Sequence, residues 1–167
     1  MDRVIYIIPY TSIIDQNAMI VRNILEEDET SGNIVLEHHS NLTPEKDTWQ
    51  GKVLSENWDV PVVYTTAVHF LETLFASGTR GARRMHQLAN AVIVFDEIQT
   101  IPIRTIHLFN NAINFLVSQC GSSMVFCTAT QPILDKVDPT MGAVAFSSEP
   151  EIMPDIACLF NDLLEVS

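Results

Sequence analysis

Basic residues are scarce in this chain: nine Lys and Arg stand against 21 Asp and Glu, a formal net charge of −12 over 167 residues. Tight sequence-independent binding of nucleic acid draws on Lys and Arg contacts to phosphate, so the acidic balance argues against strong DNA binding by this chain alone. A few contacts through backbone amides, hydroxyls and helix N-termini remain open to it. Long apolar runs are missing too. None approaches the ~20 residues that span a bilayer, and Met1-Asp2-Arg3 lacks the basic flank of a secretory signal. A membrane is therefore not an expected partner, and a cytoplasmic location is. The three cysteines, Cys120, Cys127 and Cys158, contain no Cys-x-x-Cys pair; as buried reduced thiols they suit a reducing compartment. The last absence weighs most. Nowhere does Gly-Lys-Thr or Gly-Lys-Ser occur, the signature of the loop that cradles nucleotide phosphates.

What is present is an ordinary globular composition, 47% apolar, in a chain long enough for one domain with a real core. Strand and helix signals alternate. Residues 4–8 read as a strand stopped by Pro9. Ser12, with Asp15 three residues on, resembles a capping box opening a helix whose stripe is Ile14, Ala18, Val21 and Leu25. Residues 33–37 are a short strand candidate leading into His38-His39-Ser40, and 60–65 are the next strand. Thr66 can cap a helix with the stripe Val68, Leu71, Leu74 and Phe75, ended by Gly78. Residues 80–88 allow a short helix, and 91–95 a strand. A helix over 102–120 shows Ile103, Ile106, Ile113, Leu116 and Cys120 on one side, with Pro102 in its first turn. A strand follows over 123–127, and a further strand is possible over 144–146. Strands alternating with helices at this spacing predict βαβ units, an α/β fold with a mostly parallel sheet flanked by helices. Residues 1–148 form the domain, and 149–167 are a tail or the start of a linker. A strand that begins almost at residue one predicts a partner missing upstream. The first strand would then lack a neighbour, leaving an open edge and a tendency to self-associate.

Chemistry gathers at two strand ends. Ala91-Val-Ile-Val-Phe-Asp96-Glu97-Ile-Gln99-Thr100 runs from a β-branched stretch into adjacent carboxylates, as when a buried parallel strand delivers acids to the carboxyl edge of a sheet. Ser123-Met-Val-Phe-Cys127 ends in Thr128-Ala129-Thr130-Gln131-Pro132. The bland reading of Asp96 and Glu97 is that they cap a helix near Ile101; Gln99 and the threonine turn favour a nucleotide-hydrolysing site. His38-His39 offers two metal ligands but no evident third. His69, His86 and His107 read as structural. Arg80, Arg83 and Arg84 form a solvated basic loop or a DNA or partner contact. Trp49 and Trp58 are read as packing, with base stacking the alternative.

Asp-Glu-x-Gln after one strand and Thr-Ala-Thr after a later one follow the order of superfamily 2 helicases. The chain further resembles the CRISPR-associated helicase–nuclease family of type I interference. The resemblance rests on Tyr6-Ile-Ile-Pro9-Tyr10-Thr11-Ser12-Ile-Ile-Asp15-Gln16-Asn17, Leu36-Glu-His38-His39-Ser40-Asn41, Val63-Tyr-Thr65-Thr66-Ala-Val-His-Phe70-Leu-Glu, Phe95-Asp-Glu-Ile-Gln99-Thr-Ile-Pro102 and Cys127-Thr-Ala-Thr-Gln-Pro132. These stretches lie in the family's order, from residue 4 to about 135. The resemblance implies a RecA-like (P-loop NTPase) first motor domain lacking its Walker A strand and loop. It implies ATP and Mg²⁺ as cofactors in the intact protein. It places Asp96 on Mg²⁺, Glu97 on the attacking water, Gln99 at a coupling position, and Thr128 and Thr130 in the motif linking hydrolysis to movement. Pro9, Tyr10 and Thr11, with Thr65 and Thr66, would line a single-stranded DNA track. Partners implied are single-stranded DNA, the missing motor and nuclease domains or their separate subunits, and the CRISPR surveillance complex.

The leading expectation is thus a fragment of an ATP-dependent single-strand translocase acting in CRISPR interference. Without a phosphate loop and an arginine finger, the chain alone is expected to hydrolyse ATP poorly or not at all. Competing readings are a related restriction or repair helicase, a non-catalytic relic or interaction module of the same fold, and an unrelated carboxylate hydrolase.

Overall fold

The computed structural model describes residues 2–26, 34–39, 56–75, 79–128, 134, 137, 138, 140–148 and 150–152. Among the described residues, five strands form one sheet, all parallel: β1 (Arg3–Ile7), β2 (Val35–His38), β3 (Val62–Thr65), β4 (Ala91–Phe95) and β5 (Ser123–Phe126), in the spatial order β2-β3-β1-β4-β5. The helices are α1 (Thr11–Leu25), α2 (Ala67–Phe75), α3 (Thr79–Met85) and α4 (Ile106–Cys120). The expected α/β architecture is therefore present. One expectation fails: β1 is not short of a neighbour. It lies at the centre, in register with β3 through Ile5↔Val63 and with β4 through Ile5↔Ile93. The strands at the two ends of the sheet are β2 and β5.

Period-two alternation sorts each strand between two faces. Ile5, Ile7, Val63, Ile93 and Phe95 join the larger core with Phe70 of α2 and Phe109, Ile113 and Leu116 of α4. Phe95 packs edge-on against Phe70 (5.1 Å between ring centroids) and Phe109 (5.0 Å). Trp58, wholly buried, belongs to this core, as the packing reading expected; Trp49 lies outside the described residues. The opposite face carries a smaller core in which Ile14 and Ala18 of α1 meet Ile8, Val35 and Tyr64.

Several helix details depart from the sequence-based expectation. Tyr10, not Ser12, caps α1, its carbonyl accepting from Ile13 and Ile14 N–H with no side-chain cap. Ile14 and Ala18 must face the sheet, and that phase puts Ser12 inside the first turn and turns Asp15 toward His39 (2.9 Å). Helix α2 buries Phe70 and Thr73, while Val68 and Phe75 are exposed. Ile103 is also exposed, because Ile98–Thr100 and Ile103–Thr105 form separate 3₁₀ turns and α4 begins only at Ile106. Gly121 ends α4 with φ +67, and a Cβ there would stand 2.8 Å from Asn90 Oδ1. Glycine thus relieves both the left-handed backbone and the close approach.

Residues 144–146 form no strand. Their neighbourhood is held instead by asparagines of α4: Asn110 Nδ2 donates to Leu134 O and Gly142 O (3.2 Å each), Asn111 Nδ2 to Met141 O (3.1 Å) and Asn114 Nδ2 to Ala143 O (2.7 Å). Ala145 N–H returns a bond to Asn114 Oδ1 (3.0 Å). Asparagine is a poor residue for a helix interior, and these bonds account for its repeated use in α4.

Candidate functional site

Because all five strands run the same way, their carboxyl ends share one edge, where open α/β sheets bind ligands. Pro9 to Thr11 follow β1, Thr65 ends β3 with Thr66 behind it, Asp96 to Gln99 follow β4, and Thr128 follows β5. Every one of these site residues therefore reaches the same edge; Thr130 lies outside the described residues.

The Asp96 region is the most organised part. Asp96 N–H donates to Ile7 O (2.9 Å), Cys127 N–H to Phe95 O (2.8 Å) and Ile98 N–H to Cys127 O (3.3 Å). The turn after β4 is thereby stitched to both neighbouring strand ends. Glu97 sits in the left-handed region (φ 52, ψ 48), a conformation uncommon outside glycine and enriched where function dictates backbone shape. Neither Glu97 nor Thr105 makes a side-chain cap on the turn or helix it precedes. The bland capping role for the carboxylates is thus not realised at Glu97.

What Glu97 does instead is accept a hydrogen bond from Gln99 Nε2. Gln99 Oε1 in turn accepts from Thr128 Oγ1 (2.5 Å). An acid on one strand end is linked through an amide to a hydroxyl on the next, a relay across β4 and β5.

Asp96 points to the face opposite Phe95, the side of Tyr6 and Cys127. Burial raises the Tyr6 phenol pKa above its ordinary value, with Asp96, Cys127 and Tyr64 adding to the effect. Burial, then Asp96, likewise pushes the Cys127 thiol up. Both the phenol and the thiol are thus held in their neutral forms beside Asp96. Neither residue was given a role at the site from the sequence. The signal was available in the pleat, since residues 6, 96 and 127 fall on one face by alternation and register.

The residues that the resemblance assigns to a nucleic-acid track differ among themselves. Tyr10 is exposed, and Pro9 and Thr11 are half-buried. Thr66 is half-buried and its Oγ1 accepts from His69 N–H (3.4 Å) at the start of α2, the capping role expected of it. Thr65 is wholly buried and donates its hydroxyl to His38 O (2.9 Å). Its side chain is thus committed to joining β3 to β2 and offers nothing outward.

No protein-family model matches the chain. Over 146 residues it is 25% identical to the CRISPR-associated nuclease/helicase Cas3 of Haloferax volcanii, a match covering 78% of this chain and 16% of that protein. The chain thus spans about 16% of the length of this curated relative. The resemblance read from the motifs is supported by this similarity. Among the described residues, no helix is long and apolar enough to cross a membrane.

Proposed function

We propose that the chain is the carboxylate-bearing part of an ATP-driven, single-strand-translocating motor of the CRISPR interference type, with its phosphate cradle supplied from outside these residues. The observation that carries this reading is the Glu97–Gln99–Thr128 relay beside Asp96 at the carboxyl edge of a parallel sheet. Asp96 would hold Mg²⁺, Glu97 would orient the attacking water, and Gln99 with Thr128 would carry the change to the neighbouring strand. Mg²⁺ would supply charge neutralisation at the phosphates. Tyr10, Thr11 and Thr66 would meet the nucleic-acid backbone, and partners would include single-stranded DNA and a CRISPR complex.

Chain topology supports one position for such a cradle. From β1 to β2 the chain moves one way across the sheet with α1 on one face; from β4 to β5 it moves the other way with α4 on the opposite face. Crossovers between parallel strands are right-handed almost without exception. A strand added beside β5 and crossing back to β1 would therefore place its helix on the α1 face, over Val92, Val94 and Val125. These three are only partly buried and belong to neither core cluster. Such a helix would begin at the carboxyl edge, its N-terminal amides close to Asp96, where anions are held favourably.

Titration calorimetry of the full chain with ATP, with Mg²⁺ or with EDTA, tests the reading. It predicts weak Mg²⁺-dependent binding that falls about ten-fold or more in Asp96→Asn, and no turnover. Binding indifferent to both Mg²⁺ and Asp96→Asn contradicts it. The absence of a Gly-Lys-Thr/Ser sequence favours a second reading, a non-catalytic relic of the fold; complete lack of ATP affinity would select that one.

A further inference from the structure

We propose that Asp15, Glu37 and His39 form a site for one first-row divalent cation, best matched by Zn²⁺, on the α1 face of the sheet. This inference stands apart from the nucleotide reading. In sequence, His38-His39 lacks a third ligand; the fold divides the pair. His38 turns to Trp58 and His69, with ring centroids at 5.7 and 4.6 Å, whereas His39 turns to Asp15, with Nε2 2.9 Å from Oδ1. Glu37 joins them, and one ligand atom from each of the three lies within 4.8 Å of the others. Glu37 and His39 are each only 5% exposed.

Tetrahedral Zn²⁺ with ligands at about 2.0–2.2 Å needs donor atoms roughly 3.3–3.5 Å apart, so the 2.9 Å His39–Asp15 pair must open slightly and any wider pair, none beyond 4.8 Å, must close. The Asp15 side chain, 59% exposed at the surface, has room to adjust. The same exposure leaves an approach for water as a fourth ligand.

The surroundings of the cluster are ordered. The side chains of Glu26 and Glu37 are 3% and 4% exposed, and both contact the guanidinium of Arg22, at 3.5 and 2.8 Å. Glu37 can keep Arg22 on Oε1 and turn its other oxygen to the metal, since a carboxylate has several acceptor positions. Glu26 is fixed behind them by Ile34 and Val35 N–H (3.1 and 2.9 Å), and Arg22 also donates to Val35 O (3.1 Å). These are the outer contacts that hold ligating groups in place. One imidazole nitrogen with two carboxylate oxygens suits Zn²⁺ better than Mg²⁺ or Ca²⁺, which prefer oxygen alone. The bound ion would fasten the end of β2 to α1.

The full chain, stripped with EDTA, is titrated with Zn²⁺ by calorimetry and loaded with Co²⁺ for visible absorption. One-to-one Zn²⁺ binding and intense Co²⁺ bands are expected, with Mg²⁺ giving no comparable heat. Asp15→Asn and His39→Gln should each weaken Zn²⁺ binding by about ten-fold or more, and Asp138→Asn should leave it unchanged. Asp15 is at the surface, so its variant keeps the test valid if His39→Gln fails to fold. Absence of stoichiometric binding, or Zn²⁺ affinity unaltered in Asp15→Asn, overturns the proposal.

Discussion

The two faces of the sheet are built differently. On one, α2 and α4 close over the strands with interlocking rings, Phe70, Phe95, Phe109 and Phe126. On the other, α1 covers the sheet toward β2 and β3, while Val92, Val94 and Val125 stay partly open beneath Asp96 and Cys127. All-parallel sheets are normally covered on both sides. The well-packed face is therefore where most of the buried aromatic area lies, and the half-open face is the one that presents Asp96 and Cys127.

The largest effect that would expose this contrast is truncation of the central ring. Phe95→Ala is expected to cost about 3–5 kcal/mol, measured as a shift in urea midpoint or as failure to fold. A loss under about 1 kcal/mol would mean that this face is not the tighter one.

Acid gives a second contrast, through β2. His38, on the ring-rich side, has its pKa lowered to about 3 from an ordinary 6.5, first by burial and then by His69, Arg84 and His39. The unfolded chain takes up this proton below about 6.5, while the folded one resists until about pH 3. Stability from neutral His38 is thus complete above pH 6.5 and is lost as pH falls from there toward 3. By about pH 4.5 the loss reaches roughly 2–3 kcal/mol. Urea midpoints in His38→Gln should be flatter over this range; an unchanged slope would contradict the assignment.

The smallest effect belongs to the open strip. Val94→Thr should change stability by about 0.5 kcal/mol or less, read from thermal melting. A cost comparable with that of Phe95→Ala would show that something already covers Val94.

Much of this was legible in the sequence, for reasons visible in particular residues. The β-branched runs ending at Ile7, Thr65, Phe95 and Phe126 announce buried parallel strands, and the acid pair after Phe95 announces the carboxyl edge of the sheet. Helix faces were harder. In Ala67–Phe75 almost every position can be buried, so spacing does not choose between Val68 and Phe70; the ring of Phe95, distant in sequence, does. Ile103 misled because Pro102 opens a separate turn instead of α4. The apolar run of β1 already reads as a buried central strand; that both its neighbours are present was hidden because β3 and β4 arrive much later in the chain. The division of His38 from His39 was hidden likewise, since only the pleat of β2 sends neighbouring histidines to opposite faces.

The claim that Asp96 marks a magnesium–triphosphate pocket can be met directly by replacing Mg²⁺ with paramagnetic Mn²⁺ and following backbone amides by NMR. With ATP present, Mn²⁺ should broaden Asp96, Glu97, Cys127 and Thr128 selectively, and Asp96→Asn should abolish that broadening. Broadening that ignores these amides, or that persists unchanged in Asp96→Asn, would contradict the account.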